Sequence, residues 1–176
     1  SEVILVSPKN WDMDKAQTLA TPKGVDILRS IRVEDDLATA LSDFTTVFGT
    51  TARTGGWRKA IMTPRQAAPL ICEALQERGE DGRGGAAVVF GPEDRGLTNS
   101  EIEICGQLLS IPTMADAWSL NLAQAVLVVL YECFVLKKTG PLKEHVMRDS
   151  RLPTHAEQEA LFSMLHTTLS RIDFLK

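Results

Sequence analysis

The chain has 176 residues, 44% of them hydrophobic and 24% charged, with a formal net charge of -4. That length and composition can bury a real core and read as one globular domain with room for a small appendage, rather than as a mainly disordered chain, and the acidic balance argues against a protein that coats nucleic acid nonspecifically. No run reaches the roughly 20 apolar residues of a membrane span, since Leu122 to Leu136 is interrupted by Gln124 and Glu132. With no basic-then-apolar leader at the N-terminus, the expectation is a cytoplasmic protein with no membrane partner.

In chain order, "VILVSP" at 3–8 and "FTTVFGTT" at 44–51 read as strands. The second runs into "TARTGGWRKAIMTPR" at 51–65, where Arg53, Arg58, Lys59 and Arg65 occur without an acid. A charge run alone is usually a solvated loop. Here Gly55, Gly56 and Trp57 add mobility and a stacking surface, a combination suited to flexible or single-stranded RNA, so Arg53, Arg58, Lys59 and, further on, Arg95 are candidate RNA contacts. Thr63-Pro64 predicts a helix start, with proline at the first helical position.

The next strands are "AAVVFG" at 86–91 and "LLSIP" at 108–112, separated by a capping-box pattern, Thr98-Asn99-Ser100-Glu101. Asn121 to Leu136 is apolar almost all round and predicts a core helix. The polar, proline-bearing stretch 137–153 reads as a linker. Thr154-His155-Ala156-Glu157 then opens a last helix, on which Leu161, Leu165, Leu169 and Ile172 share a face. Alternating strand and helix with near-continuous apolar strands implies an α/β domain over 1–136, its largely parallel sheet covered by helices on both faces, followed by a linker (137–153) and a helical extension (154–176).

Cys72, Cys105 and Cys133 are far apart with no C-x-x-C pair, and read as reduced, buried thiols. His145, His155 and His166 form no metal-ligand spacing, so no metal is expected. The loop "GPEDRGLT" at 91–98 has the glycine spacing of a P-loop, but Leu97-Thr98 stands where Lys-Ser/Thr must follow, and the G-x-G-x-x-G pattern is also absent. Glu93 and Asp94 would repel a pyrophosphate and tolerate a neutral or cationic ligand. One such loop alone is a tight turn. Three of them, "FGTTAR" at 48–53, "FGPEDRG" at 90–96 and "IPTMADAWSLN" at 111–121, follow predicted strands, and their tips are expected to meet at one sheet edge, where parallel sheets bind ligands.

The pattern "FGPEDRGLTN" followed by "IPTMADAWSLNLAQAV" resembles the second and third signature motifs of the SpoU-type (TrmH) 2′-O-ribose methyltransferases of tRNA and rRNA, in the SPOUT superfamily. The resemblance covers 3–136; "FGTTAR" and the helical tail are most similar to the bacterial TrmJ branch, which acts on a ribose in the tRNA anticodon loop. It implies a C-terminal trefoil knot, an exception to the rule that connections do not thread loops, together with a homodimer and bound S-adenosyl-L-methionine. Carried over by motif, Thr50, Thr51, Ala52, Gly91, Ile111 and Leu120 would line the donor site. Ser119 and Asn121 would position acceptor or donor while capping the helix, and Glu93 would fix loop geometry rather than act as a base.

The implied reaction is attack of a ribose 2′-hydroxyl of tRNA or rRNA on the donor's sulfonium methyl, accelerated largely by positioning. These enzymes begin with an Asn-x-Gly pattern and an arginine that are absent from this sequence, so poor methyl transfer is expected of these 176 residues alone. The rival readings are a noncatalytic RNA-binding module of the same fold and, disfavoured by the missing phosphate fingerprints, a dinucleotide-dependent α/β enzyme.

Overall fold

The computed structural model describes residues 2–53, 55–56, 59–114, 120–139 and 153–171. The chain forms two units, Ser1–Ser42 and Asp43–Lys176. In the smaller, β1 (Ile4–Val6) runs parallel to β2 (Arg32–Glu34), and the crossover between them carries α1 (Met13–Leu19) and α2 (Pro22–Arg29), with α3 (Leu37–Leu41) following. Asp12, Thr21 and Asp36 each accept an N–H from the first turn of the helix they precede, which explains where these short helices start. The strand expected at 3–8 is present, shortened to Ile4–Val6, but its hydrogen-bonded neighbour is a strand that the sequence reading lacks. The β2 sequence "RVE" is too short and too charged to declare itself.

The larger unit begins with β3 (Thr46–Thr50), β4 (Ile61–Met62), α4 (Pro64–Gln76) and β5 (Ala86–Val89). It continues with α5 (Asn99–Ile104), β6 (Gln107–Leu109), α6 (Leu122–Thr139) and α7 (His155–Arg171). Its sheet has the order β4-β6-β3-β5, and every pairing is parallel. The three strands expected in this half are all present, and β4 is an addition.

Successive side chains of a strand point to opposite faces, and the sheet shows it. Phe48, Val88 and Leu109 pack with Ala67 and Ile71 of α4 and Val129 of α6, whereas Leu108 and Val89 pack with Leu97 and with Ile102 of α5. Both faces are therefore covered, which is why these strands read as unbroken apolar runs. The capping boxes expected at Thr98 and Thr154 form, the latter with Thr154 N donating to Glu157 Oε2 at 2.8 Å and Glu157 N to Thr154 Oγ1 at 3.3 Å; the helix start expected at Thr63-Pro64 is present and is itself a capping box with Gln66.

The helix α6 is less buried than its composition implies. One face packs along α4, with Arg65 and Glu132 paired at 3.3 Å, and Val129 is enclosed. Leu127, Leu130, Tyr131 and Phe134, at helical spacing on another face, are each more than half exposed. On α7, Leu161, Phe162, Met164 and Leu165 are exposed as well, while Ile172 lies outside the described residues.

Candidate functional site

The strand β3 lies between β5 and β6, so three C-terminal strand ends emerge side by side. Two hydrogen bonds lock them: Thr50 Oγ1 donates to Val89 O at 2.9 Å, and Thr51 N donates to Leu109 O at 2.9 Å. Beyond these tips lies a half-open cavity of about 340 Å³. Thr50, Thr51 and Ala52 line it from β3, Gly91 from β5, and Ile111 and Leu120 from the segment after β6, with Glu93, Arg53 and Arg95 at its wall. This is the carboxyl-end crevice at which parallel sheets bind ligands.

The wall formed by 91–96 depends on two glycines. A Cβ on Gly91 would stand 2.3 Å from the carbonyl carbon of Gly96 and 2.4 Å from Leu97 N, so the loop's return passes where any side chain would sit. Gly96 itself adopts φ +66°, and its N–H closes the turn on Pro92 O at 2.8 Å. At Gly91 the wall is therefore backbone packed on backbone.

The closed loop delivers Glu93 to the start of α6. Glu93 Oε1 accepts from Asn121 Nδ2 at 2.6 Å and from Leu122 N at 3.1 Å, while Asn121 Oδ1 accepts from Ala123 N at 3.0 Å. Two N–H groups that the helix leaves without an internal partner are satisfied in this way, and a carboxylate sits at the positive end of the helix dipole. Glu93 and Asn121 therefore form one unit joining the second and third motif segments. Ser119 lies outside the described residues.

The cations divide. Arg95 pairs with Glu101 at 3.2 Å, and that hydrogen bond and charge raise its already high pKa. Burial pushes the Glu101 carboxyl up, but the Thr98 N–H and hydroxyl and the Arg95 guanidinium outweigh it and hold the group below its ordinary value. Arg53 Nη2 reaches Leu97 O at 3.4 Å and Asn99 Oδ1 at 3.5 Å, at the edge of the cavity.

Lys59 is elsewhere. Its ammonium donates to Ile102 O at 2.9 Å, Glu103 O at 2.7 Å and Cys105 O, satisfying carbonyls at the C-terminal end of α5. It borders a separate, smaller cavity of about 150 Å³. Arg58 and Trp57 lie outside the described residues. Among the described residues, no group of three or more His, Cys, Asp or Glu could hold a metal ion.

The sequence reading missed two partners. Glu101 was legible only as a capping-box acid, and nothing local shows that it also holds Arg95. The carbonyls that take up Lys59 are 43 to 46 residues away in sequence.

Comparison with known proteins gives a consistent picture. The sequence profile of the SpoU rRNA Methylase family matches residues 1–131. Over 183 residues the chain is 35% identical to the tRNA (cytidine/uridine/adenosine-2'-O-)-methyltransferase TrmJ of Pseudomonas aeruginosa (strain UCBPP-PA14), covering 99% of this chain and 69% of that protein. The crystal structure of TrmJ from Z. mobilis ZM4 superposes with a TM-score of 0.74 at 31% identity, over 97% of this chain and 68% of that one. A structure described as giving insights into "the 2-OH methylation of C/U34 on tRNA" matches with a TM-score of 0.51 at 27% identity, over 79% of this chain and 80% of its own. The chain spans little more than two thirds of the two TrmJ proteins.

The Glu93 contacts generate a stability prediction. Glu93→Ala should lower the unfolding free energy by about 1–2 kcal/mol, as for the loss of a helix cap, whereas Glu93→Gln, which keeps one acceptor oxygen, should lose about half as much. Urea unfolding followed by circular dichroism measures both. Equal losses for the two variants would show that the acceptor contacts are not what matters.

Proposed function

The chain belongs to the SpoU methylase family, and from that premise we propose that it serves S-adenosylmethionine-dependent methylation of a ribose 2′-hydroxyl in tRNA, with the anticodon loop as the favoured region. The observation that carries this reading is the meeting of three strand-tip loops around one cavity, two of them bearing the second and third family motifs and the third the branch-like segment "FGTTAR". The cavity's chemistry suits a donor without phosphate. Its walls combine backbone with the apolar side chains of Ile111, Leu120 and Leu109. Two of the charges at its wall are engaged within the fold, Glu93 at α6 and Arg95 with Glu101.

S-adenosylmethionine supplies the methyl group on a sulfonium sulfur. In this reading Thr50, Thr51, Ala52, Gly91, Ile111 and Leu120 hold it, with the rigid turn at Gly91 setting the wall. Glu93 and Asn121 fix the start of α6 so that the site is organised before substrate arrives, the form of catalysis in which positioning does most of the work. Ser119 joins them by its place in the motif. Arg53 and Arg95, at the cavity wall, and Arg58, in the same basic stretch as Arg53, meet RNA phosphates, while Lys59 supports the fold beneath α5.

The trefoil knot of the family, a methyltransferase domain over 1–136 with a separate helical extension over 154–176, and a cytoplasmic location belong to the same proposal. So does a homodimer. The exposed apolar face of α6, with Leu127, Leu130, Tyr131 and Phe134, is what a second copy would cover, since contiguous apolar surface on a monomer marks an interaction site. Among the described residues, no helix is long and apolar enough to cross a membrane.

Donor binding is tested by calorimetric titration of S-adenosylmethionine and NAD side by side. Heat is expected from the first alone, and Gly91→Ala, checked for folding by its melting curve, should weaken it by tenfold or more. Binding of NAD instead would overturn the reading. Mapping 2′-O-methylated nucleotides in tRNA from cells with and without the protein should show loss of a modification in the anticodon loop; an unchanged map would remove tRNA as substrate.

Replacing Arg53 and Arg58 together by alanine should weaken tRNA binding more than donor binding and flatten its salt dependence. Equal losses of both would mean that these residues hold the fold. Phe134→Glu should convert a dimer to a monomer by light scattering, and a wild-type chain that is already monomeric at micromolar concentration would remove the homodimer.

A further inference from the structure

The thiols Cys72 and Cys133 are not separate buried groups. Cys72 lies on α4 and Cys133 on α6, the two helices pack along each other, and both cysteines are free and half-buried. The Cys72 thiol donates to the backbone oxygen of Cys133 at 3.8 Å, which brings the two residues together across the α4–α6 packing. Cys133 packs against the cluster that contains Phe48, Ile71 and Val129, so it sits on the inward face of α6, away from Leu130 and Phe134. The third thiol, Cys105, is fully buried, and its Sγ is bonded to Glu101 O at 3.2 Å. It has no cysteine beside it among the contacts that hold it, and it serves as an internal control.

We propose that Cys72 and Cys133 form an oxidisable dithiol that a peroxide converts into an intramolecular disulfide, stapling α4 to α6. The chemistry balances with one peroxide per pair. The Cys72 thiolate attacks one peroxide oxygen, the O–O bond breaks, and hydroxide leaves to take up a proton as water, giving a sulfenic acid at Cys72. The Cys133 sulfur then displaces the hydroxyl from that sulfur and loses its own proton; the S–S bond forms and a second water departs. Two thiols lose two electrons in total, and the peroxide gains them.

The order of attack follows from the surroundings. Burial, followed by the neighbouring Cys72, pushes the Cys133 thiol up to about 11, which keeps Cys133 protonated at neutral pH and leaves it the resolving role. Burial likewise pushes Cys105 up to about 11, consistent with an inert thiol. The first turn of α6 lines the large cavity, through Leu122 and Ala125, so the staple would fasten the helix from which one cavity wall is built.

The test uses the whole chain treated with hydrogen peroxide, alkylated and digested. Peptide mapping should show Cys72 and Cys133 joined in one linked pair, reversed by dithiothreitol, with Cys105 recovered as the alkylated thiol after unfolding. In Cys133→Ser the resolving sulfur is gone, so Cys72 should be trapped by dimedone as a sulfenic acid, a product that the unsubstituted chain should yield at least tenfold less. Linkage only between chains, a pair that includes Cys105, or overoxidised Cys72 without a linked peptide would each overturn the proposal. The linked-peptide measurement needs no variant, so a misfolded Cys133→Ser leaves the test intact.

Discussion

The candidate site depends on a single carboxylate. Glu93 comes from the loop after β5, and its partners Asn121 and Leu122 lie 28 and 29 residues later, at the start of α6. One oxygen, Oε1, accepts from both, so the cavity wall and the helix beneath it cannot move independently. Charged hydrogen bonds of this kind contribute about 1.5–3 kcal/mol each when shielded and less when exposed. Their larger effect is geometric. Gly91 and Gly96 exist where they do because the loop must fold back on itself to bring Glu93 to that point, and a Cβ at Gly91 would collide with the returning backbone.

The same economy of charge explains why a loop rich in acids and arginines can border a ligand cavity. Glu93 is neutralised by the dipole of α6, and Arg95 by Glu101, which Thr98 also holds in place. Arg53 reaches toward Leu97 O and Asn99. A phosphate cradle would need several N–H donors or a lysine aimed inward, and the lysine of this region, Lys59, is spent on the carbonyls of α5 instead. Glu93 is thus not the free charge that the sequence inference against a pyrophosphate assumed, since it is held at the start of α6, while Asp94 also lines the cavity.

What could be read from the sequence divides by the range of the interaction. Capping boxes at Thr98 and Thr154, and the helix start at Thr63, were legible because the signals lie within three residues of each other. The strands β3, β5 and β6 were legible because burial on both faces leaves an apolar run, with Leu108 and Leu109 facing opposite layers. The strands β2 and β4, of three and two residues, owe their conformation to β1 and β6 beside them, and their own residues carry little signal. The sequence placed Cys72 and Cys133 far apart, and helix packing made them neighbours across 61 positions. Convergence of the strand tips was legible once the strands were taken as parallel, whereas the tie between Glu93 and the first turn of α6 required coordinates.

The helix α6 departs from what its sequence implies. An all-round apolar helix implies enclosure on all sides, yet among the described residues the face toward α4 and the sheet is covered while Leu127, Leu130, Tyr131 and Phe134 are each more than half exposed. Leaving four large apolar side chains in water forgoes a stabilisation of about 1.5–3 kcal/mol for each one fully covered, which a partner surface would recover. The helix is a rod about 27 Å long, at about 1.5 Å per residue. Its first turn is fixed by Glu93 at the cavity, and its outward face begins little more than one turn further on, at Leu127. A partner that covers that face must therefore also restrain the rotation and tilt of the turn that Glu93 holds. Assembly and ligand binding would then be linked through one rigid element, each favouring the other wherever both prefer the same orientation of α6.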